Sequence, residues 1–271
     1  MTDALRLGGM ALANGVLVHG PEHWACAIRD EAGEIALASG RKPVIARDVK
    51  SPFIRGPVKM AEMFALLPVV RRALPEARLP YERPDVAAAM LGSAAAIRGL
   101  RGSALQPAVR ETLAALLAVA PSALALRGSA LAQYHGAEHI SIGSYERAGE
   151  KGTRVHERCG SHLVGPLVVT SAAASFLASR APAATRPLAR LGAAVGAVGA
   201  AVEVFAWMVR NERHPLARAL AKPGRELQDR LVTAEPSAEQ LDVAEAALAE
   251  CLRLEGGGDG DRGALPEATP A

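Results

Sequence analysis

A mainly α fold, a helical domain with a small N-terminal β hairpin and a metal centre in a loop and helix region, is predicted by three observations. Alanine and leucine are abundant while aromatics make up only 3% of 271 residues, a mixture that favours helices over strands. Strand-like alternation is confined to residues 5–40. Histidine, cysteine and carboxylate side chains crowd into one window, Gln133 to Val164. The length suffices for one substantial core, so residues 1–255 read as a single metal-binding domain. The glycine, acid and proline mixture of 256–271 reads as a disordered tail.

Taken in order, LRLGGMALANGVLVHG starts the fold, with a turn expected at Gly8 and Gly9. In the following HWACAIRDEAGEIALAS, Trp24, Cys26 and Ile28 share one side of a strand, Asp30 to Gly33 turn, and Ile35 and Leu37 return, which predicts the hairpin. His19 and His23 stand beside apolar neighbours, where a structural role is the simpler reading. Lys42 to Pro57 is expected to be an irregular surface connection. A helix follows, started by Pro57 and kinked or divided at Pro68. After a proline-rich link at 75–85 come a helix ending at the arginines and glycines of 98–102, and another over 108–120 extending toward Leu126. Residues 129–142 bring HGAEH in on a helix. Near the end, Ser237 is an N-cap with Gln240 in the capping-box position, and Leu241, Ala244, Leu248 and Leu252 recur on one face.

Two apolar stretches, 163–178 and 191–209, form an antiparallel helical hairpin that fits either a soluble core or a bilayer. The second carries one charge, Glu203, and has Trp207 near its end. The start MTDALRLGG lacks the long apolar core of a signal peptide. Cys26, Cys159 and Cys251 form an odd, dispersed set, which fits a reducing cytosolic face better than disulfides. Net charge is +3, from 31 Lys and Arg against 28 Asp and Glu. That small, scattered surplus without stacking aromatics predicts no nucleic-acid partner.

The window QYHGAEHISIGSYERAGEKGTRVHERCGSHLV holds four of the seven histidines. His135 and His139 are four apart, about 5–6 Å between Cβ atoms on one helical face. His156, Cys159 and His162 repeat at intervals of three. Imidazole and thiolate donors point to zinc, with ferrous iron the alternative, and the expected ligands are His135, His139, His156 and Cys159. HGAEH is not the zincin HExxH, because its glutamate precedes the second histidine. Glu138 therefore reads as a partner behind the ligands or as a general base, and His162 as a spare ligand or proton donor. Four bound ligands would close the site, whereas three would leave a position for water or an unknown small substrate. A Cys159 nucleophile activated by His156 or His162 is the competing chemistry. A non-catalytic module, in which metal ties helices together at a membrane, is the competing class.

The blocks GGMALANGVLVHGP (8–21), RGPVKMAEM (55–63), YHGAEHISIGSYE (134–146), HERCGSH (156–162) and LQDRLVTAEPSAEQLDVAEAAL (227–248) resemble the YqhQ-like family, bacterial domains of unknown function described as metal-dependent enzymes, many of them multi-pass membrane proteins. The resemblance implies a metal-dependent enzyme, a site including His135, Glu138, His139 and, as a secondary candidate for the proton, Glu146, with His156 and Cys159, and membrane association through the two apolar stretches. Water activated by the metal would then give hydrolysis, and the cysteines place the site on the cytoplasmic side. A wholly cytoplasmic branch is the alternative. Asn14, His19 and Glu157 depart from the family's usual glutamate, arginine and proline.

Overall fold

The computed structural model describes residues 5–42, 49–127 and 129–256. Eight helices follow a four-stranded antiparallel sheet among these residues. The strands are β1 (Gly8–Leu12), β2 (Gly15–His19), β3 (His23–Arg29) and β4 (Ile35–Arg41), paired in sequence order. The predicted hairpin is β3–β4, turning through Gly33 at φ +86°, but it is half of a larger sheet.

The physical reason is burial on two faces. Val16, Val18, Ala25 and Ala27 pack into one core with Val243, Ala247 and Leu248. Leu17, Trp24, Cys26 and Ile28 pack into a second core with Leu66 and Val70. A strand covered on both sides reads as a continuous apolar run, so the period-two signal of GVLVH disappears. Gly8 and Gly9, expected in a turn, lie inside β1.

The helices are α1 (Pro52–Ala73), α2 (Pro84–Arg101), α3 (Pro107–Leu126), α4 (Ala130–Glu146), α5 (Val164–Ser179), α6 (Arg186–Arg210), α7 (Pro215–Leu227) and α8 (Ala238–Glu255). α1 begins earlier than expected and runs through both Pro57 and Pro68 without dividing. Residues 43–48 of the predicted connection, and 257–271 of the predicted tail, lie outside the described residues. α3 reaches Leu126 through Pro121. α8 starts with the predicted box, the Ser237 hydroxyl accepting from the Gln240 N–H and the Gln240 side chain accepting from the Ser237 N–H.

α8 and α4 cover the sheet, while α2 pairs with α3, α3 with α5, α5 with α6, and α6 with α1. The stretch Gly160–Ser179, a short helical turn leading into α5, and α6 are each long and apolar enough to cross a membrane. Only 28% and 22% of their most apolar windows is buried within the protein, so most of that apolar surface faces outward, which marks membrane association or a partner. α3 and α4 reach that length and apolarity only together, as a pair bent by 95°, and residues 136–143 of α4 are all buried inside the protein.

Candidate metal centre

α4 crosses the interior because two close approaches hold it there. A Cβ at Gly136 would collide with the Ala234 carbonyl, and the Ala234 N–H donates to Ala132 O at 2.9 Å. The chain after α7 therefore lies flat against α4. Just before it, Gln228–Val232 forms a π turn, an arrangement often found at functional sites, and Val232 presents its carbonyl to His135. The Nδ1–H of His135 donates to Val232 O at 2.8 Å, and that of His139 donates to Arg154 O at 2.7 Å. A carbonyl can only accept, so both rings carry the proton on Nδ1 and offer Nε2 as a lone pair.

Cys159 meets these two nitrogens. Its Sγ lies 3.5 Å from His135 Nε2, and the donor atoms of His135, His139 and Cys159 all lie within 4.8 Å of one another. Tetrahedral zinc with ~2.1 Å bonds to nitrogen and ~2.3 Å to sulfur separates its donors by roughly 3.5 Å, so small side-chain rotations would close this set around one ion. Burial, and next the neighbouring His135, push the His139 imidazole well below its ordinary range, which keeps it neutral as a ligand must be. Burial pushes the Cys159 thiol up. Without a cation it is a thiol, and a cation is what would make it a thiolate.

The other expected residues are placed differently. Both nitrogens of His156 are engaged, Nδ1 accepting from the Arg158 N–H at 3.3 Å and Nε2 donating to Glu146 Oε2 at 3.2 Å. His156 thus stands beside the three-donor set, its ring centroid 5.6 Å from that of His139, rather than within it. Glu146 also pairs with Arg158, so it braces the loop rather than facing the donors. His162 is buried with Nδ1 donating to Ala221 O at 3.0 Å, and it lines a separate cavity shared with Glu157, Met208 and Arg225. His19 lines the cavity beside the donors, whereas His23 faces Glu255.

Glu138 is the carboxylate that stays with the donors. It is 6% exposed, and its Oε2 has no hydrogen-bond partner. Burial pushes its carboxyl from the ordinary 4.5 up to about 7, opposed by His135 and reinforced by Cys159. A Cβ at Gly9 would collide with this carboxylate. β1 therefore carries glycine at that position so that Glu138 can lie against its backbone.

Several positioning groups were not singled out from the sequence. The fully buried Gln228 accepts the His156 N–H on Oε1 at 2.8 Å and donates from Nε2 to Ser161 Oγ at 2.8 Å, so it spans the loop on both sides of Cys159. Arg154 and Val232 act through backbone carbonyls, which no side-chain pattern reveals. The signal available for Gln228 was its place in the LQDRL block. If the three donors hold zinc, replacing Gln228 with alanine, which frees the loop on both sides of Cys159, is expected to weaken its binding by ~10–100-fold, as removal of a supporting outer group does. Competition with a chelator measures it, and unchanged affinity would contradict the assignment.

Residues 129–254 match the family described as "Protein of unknown function (DUF1385)". "Uncharacterized protein YqhQ" of Bacillus subtilis (strain 168) is 32% identical over 130 residues, covering 45% of this chain and 41% of the relative. The chain thus spans about two fifths of the length of the curated relative it matches. No solved structure gives a significant match. The matched segment begins just before α4, ends one residue short of the end of α8, and contains His135, His139, Cys159, Glu138 and Gln228; over it, the chain is similar to the YqhQ-like family of unknown function.

Proposed function

We propose that the chain is a membrane-associated, zinc-dependent enzyme of hydrolase type, with His135, His139 and Cys159 holding the metal and Glu138 serving as general base. The observation that carries this reading is the pairing of three convergent donors with a buried, unpartnered carboxylate oxygen in the same cavity. Three protein ligands are the number that catalytic zinc sites use. Bound zinc supplies a Lewis acid and acidifies water.

The protein's own groups do the rest. Glu138 Oε2 takes the proton, favoured by a carboxyl held near neutral pH. Arg158, half-buried on the cavity wall, offers a positive charge to an anionic group, and Glu146 fixes the direction in which it points. The two imidazoles and the thiolate favour zinc over the harder divalent ions, and iron with this donor set is the redox alternative. The apolar α5–α6 pair supports the membrane reading. A reducing, cytoplasmic side for the site is favoured by three free cysteines.

A second reading has a specific observation behind it: Cys159 Sγ and His135 Nε2, 3.5 Å apart, have the spacing of a thiol and its base. The raised Cys159 thiol counts against it. Metal content of the purified full chain separates the two. One zinc per chain, lost in both His135→Ala and Cys159→Ser, supports the metal site, whereas metal-free protein that forms a covalent adduct at Cys159 with an acyl substrate contradicts it. One iron per chain held by the same residues keeps the ligand set and replaces the hydrolytic reading with a redox one.

A further inference from the structure

The donors sit at one end of a cavity of about 920 Å³, at the upper end of the volumes that enclose whole small-molecule ligands. Its two ends differ in chemistry. The imidazole, carboxylate, guanidinium and thiol groups that line it, His135, Glu138, His139, His156, Arg158 and Cys159 together with His19, come from α4, the Cys159 loop and β2. Away from them the lining contributed by α1, α2 and α3 is mostly aliphatic and aromatic, with Phe64, Leu67, Met90, Ile97 and Val119 among its side chains and no charged group. The cavity is walled by α1, α2 and α3, of which α2 packs on α3 and α1 on α6. Phe64 and Met90 line it and are also 60% and 51% exposed, so its apolar end reaches the surface between α1 and α2.

That mouth belongs to the same bundle as the two helices apolar enough to cross a membrane, because α1 packs on α6 and α3 on α5. A small polar substrate would leave the apolar length of such a cavity unused. A long hydrocarbon tail would gain affinity with each CH₂ it buries there. Exposed Phe and Met side chains at the mouth are costly in water and ordinary in a bilayer. An anionic or carbonyl-bearing head would stop at Arg158 and the His135, His139 and Cys159 donors.

We propose that the substrate of this site is a membrane lipid, its acyl tail lying between α1, α2 and α3 and its polar head at the metal centre. The head's role rests on the proposed metal site, whereas the tail's place rests on the cavity alone. The two ends of the cavity then have separate roles, the apolar end selecting the class of molecule by its tail and the buried ionisable groups acting on its head.

The test uses the delipidated full chain in detergent with a long-chain fluorescent fatty acid as probe, alongside zinc content measured on the same samples. Expected are one probe per chain, a C16 acid at least tenfold better than a C8 acid as competitor, and at least tenfold weaker probe binding in Val119→Trp with zinc unchanged. Arg158→Gln is expected to weaken the acid but not a long-chain alcohol. If Val119→Trp fails to fold, Ala94→Trp obstructs the same wall from α2. Competition by phospholipid vesicles supports a bilayer lipid. Competition only by free acids and alcohols would overturn the membrane source. Zinc present with no chain-length dependence overturns the lipid inference and leaves the metal site standing, while chain-length-dependent binding without zinc does the reverse.

Discussion

His139→Ala is expected to leave the purified chain with less than a tenth of the wild-type zinc after dialysis against a weak chelator. Three ligands share the binding free energy of such a site, on the order of 10 kcal/mol, so removing one costs roughly 3 kcal/mol and ~10²-fold or more in affinity. The substitution also strips Arg154 O of its donor and leaves a hole in buried α4, for about 1–3 kcal/mol of folding stability. The two effects are separable. His139→Cys supplies a thiolate in place of the imidazole and is expected to recover most of the zinc while still lacking the bond to Arg154. Full zinc retention in His139→Ala would remove this residue from the ligand set.

Glu138→Gln is expected to keep zinc and to lower turnover of any substrate by ~10²–10⁴-fold, the range for a positioned proton acceptor. Its second effect has a sign that follows from burial. A carboxyl at about 7 in the folded protein and 4.5 when unfolded binds more protons folded than unfolded between those values. Metal-free protein therefore loses stability as pH rises from about 4.5 to 7, by about 3 kcal/mol at most, and keeps full stability below 4.5. Glutamine cannot ionise, so the metal-free variant is expected to melt higher than wild type at pH 8 and alike at pH 4. Parallel melting curves across that range would show that Glu138 is solvated and not the buried base.

Much of this was legible in the sequence where chemistry depends on local spacing. An i, i+4 histidine pair on a helix points two rings one way whatever surrounds it, and the Ser237 and Gln240 box is complete within four residues. The apolar hairpin of α5 and α6 was legible because length and composition alone define it. The loop around Cys159 was different. His156, Cys159 and His162 look equivalent at intervals of three, yet no regular helix spans them, and each side chain turns to a different partner: Glu146, the α4 histidines and Ala221 O respectively. The sheet was half hidden because β2 and β3 are buried on both faces. Gly9 read as a turn because glycine's value there, room for Glu138 against a strand, depends on a residue about 130 positions away.

The proposed chemistry needs a metal held by three side chains with one position left open. X-ray absorption at the zinc edge of the full chain, in wild type and in Cys159→Ser, measures that directly. Expected are two nitrogen donors and one sulfur with a single exchangeable oxygen or nitrogen, and loss of the ~2.3 Å sulfur shell in the variant. A saturated shell with three imidazoles, His156 included, and Cys159 would make the site structural and contradict the proposed chemistry.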